Sequence, residues 1–399
     1  MTTEVHTESR RSRPTSFTYV VAALLVVGAA VYLAHWGRGD GLDLRVYRAG
    51  IDSWRRGHNP YDGTFTAHRL HFTYPPFALL VLSPLTWASF AVTQIVLWTL
   101  SILALALAVY IVCRRTRPEG GRALAAQALG WASLAVVLIE PVRSTLDYGQ
   151  INTILLALVV VDLLVVPRRH RGWLIGLAAA IKVTPLIFLA MPLLARDWKS
   201  VARGIGGVAG TSGLMWVLWP GVARTYWTSD LFAAKRVGTI AYVGNQSLYG
   251  MLHRWPFPSN GQTGLWLLLS AVAVVMGLAV ARRCLNNDSR AAAMLALALV
   301  GLLISPISWT HHWVWVALIP PLLVTDRGNA LRGPTRQALW ALCAVSILAP
   351  YWWFTTGVAA KVLADSLVLT GFGVLVVWSL SQHPGRASDG RPALDSYTA

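Results

Sequence analysis

Four short stretches gather the residues able to do chemistry. Asp43 opens "DLRVYRAG", with Arg45 and Arg48 directly behind it. "EPVRSTLDYGQIN", at 140–152, holds Glu140, Arg143, Asp147, Gln150 and Asn152. "VGNQSLYG", at 243–250, offers Asn245, Gln246 and Ser247. "SPISWTHHWVW", at 305–315, sets Ser308, Thr310, His311 and His312 among tryptophans. One carboxylate suffices as the general base that removes a proton from an attacking alcohol. A leaving group that carries its own negative charge, such as a phosphate, needs cationic donors rather than a strong general acid.

Each stretch also has a plainer reading. Asp43 stands where an amphipathic segment begins, and a carboxylate there caps a helix by accepting free backbone N–H groups, which lowers its pKa. Arg143 can pair with Glu140 or Asp147, as ionisable residues at membrane ends often do. Asn245 and Gln246 suit a plain loop as well as a sugar. Adjacent histidines point in different directions, so at most one of His311 and His312 faces any single ligand, and a lone histidine at a membrane end is more often structural.

The elements that must position these groups are membrane helices. Of 399 residues, 55% are hydrophobic and 13% charged, against about 25% charged in a soluble domain. The apolar residues come in runs long enough to cross a hydrocarbon layer about 30 Å thick. The expected fold is all-α: a polytopic integral membrane bundle of about 10–12 transmembrane or half-membrane helices. Full spans are expected near 17–36, 76–113, 123–142, 150–166, 200–219, 264–282, 291–309, 311–325, 338–354 and 362–381. The 76–113 run is too long for one plain span, so it should open with a short helix and cross after Pro84.

Segment 172–195 carries Lys182 and Pro185 at its middle and basic residues on both flanks. It should enter and leave on one side, as two half-helices meeting at 182–185. Irregular backbone at that depth is tolerated where it is buried or lines a cavity. Ten crossings then leave cytoplasmic tails 1–16 and 382–399 around a single domain at 17–381, with outer loops 37–75 and 220–262. The bias of Lys and Arg toward the cytoplasmic segments agrees. The first run is longer than the apolar region of a signal peptide, so it reads as an uncleaved anchor. The four polar stretches all fall on the outer face, with Lys182 pointing toward them from below.

The net charge of +17 lies in short loops between spans, which argues against nucleic acid as a partner. The outer loop nevertheless carries Arg38, Arg45, Arg48, Arg55, Arg56 and Arg69, more than a translocated loop normally accepts. An anionic lipid on that face would justify them. Within 43–57, Leu44, Tyr47, Ile51 and Trp54 recur at helical spacing, with Gly57 as the stop. This segment should lie on the outer leaflet, apolar side down. Trp36, Trp131, Trp173, Trp219, Trp309 and Trp340 end apolar runs, as interface residues do. Neither the three cysteines nor His58, His68 and His71 have convincing metal-ligand spacing, so no metal site is expected.

In order and spacing, "DLRVYRAG", "FTYPPFALLVLSPL", "EPVRSTLDYGQIN", "IKVTP", "NQS" and "SPISWTHHWVW" resemble a mycobacterial family, the polyprenyl-phosphate-mannose-dependent α-1,2-mannosyltransferases of the GT-C superfamily. The likeness is strongest to the branch that elongates phosphatidylinositol mannosides with a fifth mannose, and it covers about residues 40–325. It implies a GT-C bundle working on the periplasmic face of the plasma membrane. It also implies a lipid-linked donor, polyprenyl phosphate mannose, with no separate cofactor. The reaction implied is inverting transfer to the 2-hydroxyl of a mannosylated phosphatidylinositol.

The resemblance makes Asp43 the catalytic base and implicates His311 or His312. With it, Lys182, Arg143 and one of the histidines, His312 among them, are expected at the donor phosphate. Arg45, Arg48, Lys235, Arg236, Asn245 and Gln246 are expected at the acceptor. A rival within the family adds α-1,2 branches to lipomannan. A rival from another class is a lipid transporter or flippase, which calls for internal repeats and ionisable residues at the midplane. No repeat is visible, and the ionisable residues at depth are Lys182, Asp162 and Asp365, which favours the enzyme.

Overall fold

Long apolar runs become helices here, and proline, glycine and polar residues decide where each one breaks. The computed structural model describes residues 16–35, 39–117, 121–325, 331–353 and 357–381. Trp36, Arg38 and nearly all of both expected tails lie outside the described residues.

The chain begins with α1 (Ser16–His35) and the amphipathic α2 (Leu42–Arg55). Next, α3 (Pro76–Leu82) and a 3-10 turn at Ser83–Thr86 lead into α4 (Phe90–Thr116), the short helix and long crossing expected for this run. Then α5 (Gly121–Leu138) and α6 (Glu140–Tyr148) meet at a bend of 77°, with Ile139 extended and Pro141 in the first turn of α6. Proline there is pre-set for a helix start and forfeits no hydrogen bond. After α7 (Asn152–Leu164), α8 (Trp173–Ile181) stops at Lys182, whose backbone is extended. A 3-10 turn at Thr184–Leu189 and α9 (Ala190–Leu194) complete the broken element expected around 182–185.

The chain continues through α10 (Trp198–Leu218) and a loop built from α11 (Pro220–Thr228), α12 (Ala234–Val237) and α13 (Leu248–Arg254). A helical hairpin follows, α14 (Ser259–Asn286) with α15 (Arg290–Ile304). A 3-10 helix at Thr310–Leu318 passes into α16 (Ile319–Thr325), and α17 (Gly333–Leu348), α18 (Val358–Ala364) and α19 (Ser366–Ser381) close the bundle. Strand-like pairing among the described residues is confined to two isolated bridges, Phe65–Leu70 and Asn245–Trp309.

Several expected full crossings turn out to be broken or short. By length and composition, α4 and α14 suffice to cross a membrane, and α5 with α6 does so if the bent pair is one span. The 13 residues of α7 reach only about 20 Å, short of the roughly 30 Å of a hydrocarbon core. The expected 291–309 span stops at Ile304, before Ser305 and Pro306, and 311–325 divides into a 3-10 helix and α16. A proline lacks the N–H that would continue the ladder, so such runs end early.

The apolar stripe of α2 also departs from expectation. Leu44, Val46, Tyr47, Gly50 and Ile51 are buried, and the helix packs on α3, α6 and the 83–86 turn instead of lying on lipid. The loop that follows supplies the cover: Tyr47 meets Tyr74 edge-on at 5.0 Å, and a Cβ at Gly50 would sit 2.7 Å from the Phe72 ring. Trp219, at the end of α10, meets Trp54 of α2 edge-on at 4.9 Å. The two carboxylates expected at depth are structural. Asp162 accepts the N–H groups of Gly172 and Ile175 at the start of α8. Asp365 pairs with Arg254 and accepts from Trp255 at 2.7 Å, tying the C-terminal helices to the 220–262 loop.

Candidate active site

Asp43 is the second residue of α2, because Gly41, left-handed at φ 61°, takes the N-cap position. The capping reading is therefore corrected. The carboxylate turns instead to α6's far end, where Oδ2 accepts from Gln150 Nε2 at 2.8 Å. Its pKa is raised, where a cap would lower it. Burial lifts it from 3.8 to about 6, against the pull of the Gln150 hydrogen bond and the Lys182 charge, and Asp40 adds to the rise.

Gln150 is held by two phenols. Its Oε1 accepts from Tyr47 at 2.7 Å and from Tyr74 at 2.8 Å, so its amide N–H groups must face Asp43. Gly149 permits this approach. Its φ is +68°, and a Cβ there would sit 2.7 Å from that of Leu44. Only glycine enters that region without penalty.

Lys182 stands at the break after α8. Its Nζ donates to Asn152 Oδ1 at 2.9 Å, meets His312 Nε2 at 3.1 Å and lies 5.5 Å from the Tyr74 ring centre. Thr145 Oγ1 and Asn152 Nδ2 both donate to the carbonyl of His311, at 3.0 and 2.8 Å. The His311 ring rests on Tyr148 and His312, and both its nitrogens are buried with no hydrogen-bond partner.

The two histidines face different spaces. His311 and Asp43 line a cavity of about 560 Å³, with Asp40, His68, Tyr148, Tyr242, Trp309 and Trp352 around it. His312 and Lys182 line a second cavity of about 420 Å³, with Tyr74, Arg236, Tyr249 and Trp266. Val237 is common to both walls.

Residues 72–306 match the glycosyltransferase family 87 profile, more than half of the chain. This chain belongs to glycosyltransferase family 87. It is 32% identical over 339 residues to a polyprenol-phosphate-mannose-dependent α-(1-2)-phosphatidylinositol mannoside mannosyltransferase of Mycolicibacterium smegmatis, covering 78% of this chain and 75% of that one. It is 34% identical over 354 residues to the corresponding pentamannoside mannosyltransferase of the same organism, covering 88% and 84%. A phosphatidylinositol mannoside mannosyltransferase of Mycobacterium tuberculosis is 32% identical over 368 residues, covering 85% and 84%.

The family 87 chain is thus an enzyme, a membrane glycosyltransferase with an all-α fold of GT-C type. Glycosyl transfer asks for a proton acceptor at the incoming alcohol and positive charge at the departing group. The two cavities offer one each. Among the described residues, no three His, Cys, Asp or Glu side chains stand close enough to share a metal ion.

Other expected site residues are placed elsewhere. Asn245 and Gln246 are fully buried, their amides committed to the backbone at Ile240, Pro306, Ser308, Val243, Ala364 and Val368. They clamp the 305–310 turn and line neither cavity. Arg48 donates to the carbonyls of Leu85 and Ala88 and to Thr93, pinning α2 to the head of α4. Arg45 donates to the Asp40 carbonyl and covers Phe90. Arg143 donates to the Val137 carbonyl at 3.0 Å and lines neither cavity. Arg236, paired with Asp230 at 3.2 Å, lines the Lys182 cavity, while Lys235 beside it is exposed.

Glu140 has partners other than Arg143. It accepts from Thr310 at 3.1 Å, Tyr351 at 2.7 Å and Trp352 at 3.2 Å. Thr310 and Trp352 are wall residues of the Asp43 cavity, so this buried carboxylate shapes it. Tyr148 and Gln150 lay within a quoted motif. Nothing in the sequence marked Trp352, which arrives from the C-terminal quarter of the chain.

Proposed function

We propose that this glycosyltransferase moves mannose from polyprenyl phosphate mannose to a phosphatidylinositol mannoside, forming an α-1,2 bond on the periplasmic face. The relatives' names supply the donor and acceptor classes. One observation carries the assignment of roles: a carboxylate of raised pKa and a lysine ammonium open on adjoining cavities, and each acts on the other's charge.

The acceptor's mannose lies in the Asp43 cavity, against Tyr148, Trp309 and Trp352, with its 2-hydroxyl directed at Asp43. His311 lines the same cavity, its two ring nitrogens buried just behind the wall without a hydrogen-bond partner. The donor's phosphate lies at Lys182 and His312, and its prenyl chain runs past Tyr249 and Trp266. The acceptor oxygen attacks the anomeric carbon as the bond from that carbon to the phosphate oxygen breaks. The proton goes to Asp43, and the electron pair leaves with the phosphate, whose growing charge Lys182 meets. A β-linked donor and an α product require one displacement, so no second carboxylate is needed as a nucleophile. The periplasmic assignment follows the basic bias of the opposite loops.

The test is direct. Purified protein is incubated with polyprenyl phosphate mannose and either a tetramannosylated phosphatidylinositol or lipomannan, and the product is identified. Transfer to the inositol lipid is expected. Absence of transfer to any mannoside would end this reading, and transfer to lipomannan alone would change the acceptor.

A further inference from the structure

A groove of about 670 Å³ opens between α4 and α7 at the end of the bundle away from Asp43. The direction of α4 places it there. Near its start, Gln94 donates to the Gly39 carbonyl and Trp98 to the Leu146 carbonyl, both close to the site. Arg114 and Arg115 stand roughly 24 Å further along the helix. The walls are Leu107, Ile111, Val161, Leu164 and Val165, and the two arginines close one end.

Three features say what this groove takes. First, α4 is long and apolar enough to span a membrane alone, so the groove runs at hydrocarbon depth and ends where the helix meets the headgroups. Second, Leu107 is 46% and Val165 51% exposed, which leaves the wall open to a lipid chain. Third, the closed end is cationic. Arg114 donates to Tyr110 at 3.0 Å, and among the described residues neither arginine has a carboxylate within ion-pair distance. Arg290 adds positive charge beside Arg115, which Asp288 partly offsets.

We propose that this groove is a binding site for an anionic phospholipid of the leaflet opposite the active site. Its phosphodiester sits on Arg114 and Arg115, and one acyl chain runs along Leu107, Val161 and Val165. Guanidinium groups match phosphate oxygens in geometry as well as charge. Basic pockets between membrane helices recruit anionic headgroups in this way. The site is separate from the donor cavity, which Lys182 closes near the other end of the bundle.

The test is native mass spectrometry of detergent-purified protein titrated with phosphatidylglycerol or phosphatidylcholine. Wild type should retain one phosphatidylglycerol saturably and phosphatidylcholine only weakly. The double variant Arg114→Gln, Arg115→Gln should retain phosphatidylglycerol about thirtyfold less well. Leu107→Trp, which fills the groove and leaves its charge intact, should weaken retention too. An unchanged elution profile and melting temperature confirm that each variant is folded. Equal retention of the two lipids by wild type, or undiminished phosphatidylglycerol in both folded variants, overturns the proposal.

Discussion

The ammonium of Lys182 lies 3.1 Å from Nε2 of His312. An ammonium only donates, so that nitrogen holds a lone pair and the ring proton sits on Nδ1. His312 is thereby left with one N–H for a ligand in the Lys182 cavity. Lys182→Met should weaken donor binding by about 10–100-fold, the worth of a hydrogen bond to a charged group. His312→Gln should do less. Steady-state kinetics with the donor varied will read both, and a rise confined to the acceptor's KM would move Lys182 to the other substrate.

Asp43→Asn separates chemistry from stability. Loss of a general base should lower turnover about 10²–10⁴-fold. The folded carboxylate binds its proton at about 6, above the ordinary 3.8. Its stabilising contribution is therefore full below the ordinary value and is lost as pH rises through about 6. At neutral pH the ionised group opposes folding, so the asparagine variant should melt no lower than wild type. A helix cap would behave in the opposite way, losing about 1 kcal/mol with activity intact.

The same carboxylate predicts the pH profile. As proton acceptor, Asp43 must be ionised, so kcat/KM should climb about tenfold per pH unit below about 6 and level off above it. A rate that stays flat between about pH 5 and 7.5 would remove Asp43 from proton transfer.

His311 carries two buried nitrogens without partners. His311→Phe keeps a ring against Tyr148 and deletes both polar atoms. Acceptor kcat/KM should fall about 10–100-fold if two neutral hydrogen bonds to the sugar are lost. Melting temperature should hold or rise, since unsatisfied buried groups cost stability. A structural histidine would show the reverse pattern.

Glu140 accepts three hydrogen bonds from Thr310, Tyr351 and Trp352. Glu140→Gln replaces one acceptor oxygen with a donor, so a hydroxyl among these groups must accept instead and its own proton loses its partner. The cost should be about 1–3 kcal/mol in unfolding free energy. Because Trp352 lines the Asp43 cavity, the acceptor's KM should rise while the donor's stays near wild type. Denaturation and paired titrations of both substrates check this.

Hydropathy and a few local signals already determined the membrane bundle, the break at Lys182, the short helix before α4 and the four polar stretches. Those features depend on residues close together in the chain, where apolar run length and proline act directly. Only the tertiary structure decided that Asp43 turns to Gln150, 107 positions away, and that Lys182 reaches His312, 130 positions away. The same holds for which cavity His311 and His312 each line, the burial of Asn245 and Gln246, and the arrival of Trp352. A side chain's hydrogen-bond partner is set by which helices pack together, and a pattern confined to one helix carries no record of its neighbours.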